Sequence, residues 1–77
     1  MTTQTFELTP AQWEAAKALL AQQHKITVTG NTGSERGFGT TVDYAYDGEA
    51  HLIVSARGTF AGTAMGKVQA IVQTVTA

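Results

Sequence analysis

Three sets of residues carry side chains able to do chemistry. The first is Asp43, His51 and Ser55. A carboxylate beside an imidazole orients a general base, and a serine hydroxyl in reach of the ring completes a hydrolase triad. A hairpin that brings Asp43 opposite His51 makes the first half of that arrangement. Ser55 then lies four residues along the strand, roughly 13 Å away at strand rise, beyond hydrogen-bond reach of the ring. The expectation is a cross-strand polar pair with no nucleophile, and the chain reads as non-enzymatic.

The second set is the stretch Gly58-Thr59-Phe60-Ala61-Gly62-Thr63-Ala64-Met65-Gly66-Lys67. Glycine amides, a helix N-terminus and a lysine together cradle phosphates. A nucleotide-binding loop needs four residues between its first glycine and Gly-Lys, then Ser or Thr. Here three residues separate Gly62 from Gly66, and Val68 follows Lys67. The pattern fails twice. Glycines four apart lie along one side of a helix and let another backbone approach, so close packing is the expected role. A weaker anion site remains as an alternative, made by Arg36, Arg57, Gly62, Gly66 and Lys67, with Asp43, Asp47 and Glu49 marking the opposite end. Such a polarity steers an acidic partner only weakly and is sensitive to salt.

The third set is histidine and aromatic. His24 has no partner at ligand spacing, and the chain contains 0 cysteines. No metal, thiolate or other cofactor chemistry is expected. Phe38, Tyr44 and Trp13 fall on apolar faces, which makes them core residues rather than a base-stacking platform.

The elements that must position these groups follow from periodicity. Leu8-Thr9-Pro10-Ala11-Gln12-Trp13 is a capping box with Thr9 at the N-cap, Pro10 at N1 and Gln12 at N3, and Leu8 and Trp13 form a hydrophobic staple. Trp13, Ala16 and Leu20 continue the stripe, predicting a helix from Pro10 to Gln23. Ile26 to Thr29 alternates apolar and polar residues, as a strand does. Gly30 to Gly37 reads as a mobile polar connection. Phe38–Tyr46 and Ala50–Arg57 read as two further strands. A three-residue loop, Tyr46-Asp47-Gly48, sets Val42 against Leu52 and Ala45 against Glu49. Ala61, Ala64, Met65, Val68, Ile71, Val72 and Val75 define a second helix of uncertain start, with Thr59 or Thr63 as its cap.

The predicted fold is α+β, a two-layer sandwich of order α-β-β-β-α. Its three-stranded antiparallel meander carries both helices on one face. Residues 1–77 form a single small domain, with residues 1–7 either flexible or a short extra strand.

Composition limits the function. The chain has 77 residues, 43% hydrophobic and 14% charged, with a net charge of −1. That balance argues against non-specific nucleic-acid binding, which needs a cationic excess. No apolar run spans a bilayer and Met1 to Phe6 lacks the features of a secretory signal, so the expected location is cytoplasmic, away from membranes. A domain this small buries only about 60–65% of its unfolded surface, and association would supplement that core. The expected function is therefore a protein-interaction or self-associating domain, a homodimer. Its contact surface is an open sheet face of Thr27, Thr29, Thr41, Ala45, Ile53 and Ser55, together with an unguarded sheet edge. The alternative is an anion- or nucleic-acid-binding module at the Arg36, Arg57 and Lys67 end.

Overall fold

The computed structural model describes residues 2–37 and 39–77. Among them the chain runs β1 (Thr2–Glu7), α1 (Pro10–His24), β2 (Thr32–Gly37), β3 (Thr40–Tyr46), β4 (His51–Gly58) and α2 (Ala61–Thr76). The protein is α+β. Its sheet is antiparallel, with strand order β1-β4-β3-β2.

The sheet therefore has four strands among the described residues, not three, and two assignments change. Ile26 to Thr29 is not a strand. Its alternation is real, because Val28 is buried while Thr27 and Thr29 are exposed. That pattern reports which side of an extended segment meets the core and says nothing about backbone pairing. Conversely, the glycine-rich Thr32–Gly37 is no loop but an edge strand paired with β3. Gly33 explains its composition. A Cβ there would come within 2.8 Å of the Val28 Cγ1 atom, so Val28 lies over a strand position that has no side chain. At the other edge, Thr2–Glu7 is a full strand against β4. Phe38, expected in the core, lies outside the described residues.

The α1 boundaries follow from local chemistry. Thr9 Oγ1 accepts from the Gln12 amide at 3.2 Å, and Gln12 Oε1 accepts from the Thr9 amide at 2.8 Å. This is the capping box read from the sequence. The helix ends at Lys25, whose φ of 57° is left-handed and whose amide reaches the Leu20 carbonyl. The α2 helix starts at Ala61 after Phe60, and neither Thr59 nor Thr63 caps it. The Phe60 amide donates instead to Thr40 Oγ1 at 3.0 Å, which fixes the start of α2 to β3.

The β3–β4 hairpin keeps the expected faces but not the expected partners. Val42 opposes Ala56 and Tyr46 opposes Leu52. Asp47 causes the difference. Its Oδ1 accepts from the amides of Glu49, Ala50 and His51 at 2.8, 2.9 and 3.0 Å, so it anchors the start of a longer turn instead of sitting in its middle. The shift moves the register by an even number of residues. Val42, Tyr44 and Tyr46 consequently still share a buried side with Leu52, Val54 and Ala56.

These six residues join Leu8, Trp13, Ala16, Leu20 and Val28 with Met65, Val68, Ile71 and Val72 in one core. Trp13 and Tyr46 stack with ring centroids 5.4 Å apart. Tyr46 Oη donates to the Leu8 carbonyl at 2.8 Å, while Trp13 Nε1 donates to the Gly30 carbonyl at 3.2 Å. Lys17 Nζ lies 5.3 Å from the Trp13 ring centroid and donates to that same Gly30 carbonyl. This cluster connects α1 to the hairpin and to the segment before β2. Among the described residues, no helix is long and apolar enough to cross a membrane.

Candidate functional site: an open sheet face and a groove beside α2

The residues alternating with the core positions line the other side of the sheet, and the register arranges them in rows. Thr5, Ile53, Ala45 and Thr32 form one row. Thr3, Ser55, Asp43 and Ser34 form the next, in which the Thr3 and Ser55 hydroxyls are 3.2 Å apart. Arg57, Thr41 and Arg36 close one end, and Glu7 beside His51 closes the other. Ile53, 46% exposed, is a large apolar side chain among small neighbours. Of the expected face residues, Thr41, Ala45, Ile53 and Ser55 are here. Thr27 and Thr29 are not, because their segment lies outside the sheet. Thr3, Thr5, Thr32 and Ser34 take their place. Of the β1 members only Thr5 lay in a stretch, about Phe6 and Leu8, whose alternation left a short extra strand open; Thr3 carried no such signal, and the β2 members were hidden by its glycines.

Asp43 does not meet His51. It opposes Ser55 on β4 and Ser34 on β2. The partner of His51 is Asp47, whose Oδ2 lies 3.1 Å from Nδ1. Three amide donors, that of His51 foremost, hold the Asp47 carboxyl well below the usual carboxylate range. This carboxylate is a structural acceptor at a turn.

The candidate anion residues separate. Arg36 and Arg57 flank Thr41 in the sheet, whereas Lys67 stands on α2. Gly62 and Gly66 are exposed, and a Cβ at either would meet nothing within 4 Å. No backbone among the described residues approaches them, so the close-packing role expected for them is incorrect. The glycine in this stretch that needs to be one is Gly58. Its φ is 107°, and a Cβ there would collide with the Gly39 carbonyl oxygen.

A groove opens where β2 and β3 emerge between the two helices. Its volume is about 520 Å³. Leu20, His24 and Ile26 form one wall, and Phe60, Thr63, Ala64, Lys67 and Val68 form the other. Glu35, Arg36, Gly37, Thr40, Val42 and Tyr44 line the sheet side. Tyr44 is 2% exposed, and its hydroxyl has no hydrogen-bond partner among the described residues. Burial, assisted by Glu35, pushes its pKa up to about 12. Neither the groove nor this hydroxyl is apparent from the sequence, because both depend on β2 being a strand.

Among the described residues, no cluster of three or more His, Asp or Glu side chains is arranged to hold a metal. The chain matches no family model, no curated protein and no solved structure.

Proposed function

We propose that this chain is a non-enzymatic interaction domain that pairs with a second copy of itself through its open sheet face. In this reading the fold is a two-layer sandwich with both helices over one side of the sheet, and the other side is the contact surface. The observation that carries the reading is the exposed Ile53 in a row of Thr5, Ala45 and Thr32, between ends of opposite charge. An apolar centre with a charged rim is the usual anatomy of a protein interface. The end charges also select an orientation. A two-fold axis between the faces and perpendicular to the strands sets Arg57 and Arg36 over the partner's acidic end. An axis parallel to the strands would oppose like charges.

Sedimentation equilibrium over about 10–500 µM tests this, since a self-associating fold responds to its own concentration. Wild type is expected to show a dimer, and Ile53→Lys a monomer with unchanged circular dichroism. A wild-type monomer throughout the range would defeat the proposal. The alternative, an anion- or nucleic-acid-binding module, has less support, because Arg57 and Lys67 belong to different layers. A cytoplasmic location remains part of the proposal.

A further inference from the structure

The groove between the helices takes no part in the sheet-face contact, and its chemistry is different. Its volume of about 520 Å³ lies within the range of about 300–1,000 Å³ typical of small-molecule sites. The lining is mainly apolar, through Leu20, Ile26, Val42, Phe60 and Val68. Phe60 is 53% exposed at one wall, a large ring left in solvent.

We propose that this groove binds a small amphiphilic monoanion, an aromatic or branched aliphatic carboxylic acid. Three observations define that class. The first is the sign of the charge: Lys67 balances the single carboxylate of Glu35 in the lining, so the start of α2 decides the sign. The start of α2 stands at the same wall with no side-chain cap, and a helix N-terminus favours an anion. The second is the size of the charge. Glu35 disfavours a phosphate dianion, and the apolar walls give little to a polar ligand. The third is Tyr44. A buried hydroxyl without a partner among the described residues is costly, and a ligand oxygen within reach would satisfy it.

Amide chemical-shift titration with sodium phenylacetate, phenylacetamide and inorganic phosphate tests the assignment. Phenylacetate is expected to shift Val42, Tyr44, Phe60 and Ala64 saturably below about 10 mM, the range of weak fragment binding. The neutral amide and the phosphate should each bind at least about tenfold more weakly, the loss associated with one charge-assisted hydrogen bond. Lys67→Gln should weaken phenylacetate by a similar factor. Tyr44→Phe, which removes a group that bonds nothing among the described residues, should remain folded and bind several-fold more weakly. The proposal is overturned by equal affinity for the amide, by phosphate binding as well as phenylacetate, or by the absence of saturable groove shifts. Groove signals that move with protein concentration alone would also overturn it, because a second copy would then be the occupant.

Discussion

The two tyrosines of β3 stand on the same buried side and have opposite hydrogen-bonding fates. Tyr46 donates to the Leu8 carbonyl, whereas Tyr44 donates to nothing described. Tyr46→Phe leaves a buried carbonyl unpaired and is expected to cost about 1–3 kcal/mol. Tyr44→Phe removes an unsatisfied group and should be neutral or slightly stabilising. Urea midpoints for the two variants check the contrast. Asp47 gives a pH prediction. Its pKa in the folded chain lies below the ordinary 3.8, so its contribution is complete above that value and declines as pH falls below it. Asp47→Ala should destabilise at pH 7, by a margin that narrows at low pH; equal margins at both would contradict this. The capping box was legible because its partners are three residues apart. The Tyr46–Leu8 bond spans 38 residues and has no local signature.

At the scale of elements, glycine is informative only with its surroundings. Gly66 lies inside α2 with open space around its missing side chain. Gly66→Ala is therefore expected to stabilise by up to about 1 kcal/mol, the difference in helix propensity. Gly58→Ala must force a side chain into a left-handed backbone and against Gly39, and should cost on the order of 1–3 kcal/mol or more. Thermal unfolding of the two variants should move in opposite directions. The same dependence explains which strands the sequence reveals. β3 and β4 alternate over a buried side and are legible directly. β2 reads as a loop because the positions it sets beside Tyr44, Val42 and Thr40 are Gly33, Glu35 and Gly37, none of them apolar side chains, and the apolar cover at Gly33 comes from Val28 in another segment. Ile26 to Thr29 reads as a strand for the complementary reason: it supplies that cover without joining the ladder.

For the whole molecule, parity survived where partners did not. Because the turn moved the register by an even number, the division of β3 and β4 into a core side and an open side was already correct. The opposite charges at the two ends of the open side, already legible in Arg57 against Asp47 and Glu49, gain Glu7 and Arg36 when β1 and β2 join the sheet. The chain contains 0 cysteines, so a single introduced thiol carries a spin label to one place. The label belongs at Thr41→Cys, in the basic row, in a sample mixed with unlabelled ¹⁵N wild type. A dimer joined by the open faces with its strands reversed predicts broadening of the ¹⁵N partner at Ala45, Asp47 and His51. Absence of intermolecular broadening, or broadening confined to the partner's Thr41 and Arg57, would contradict it.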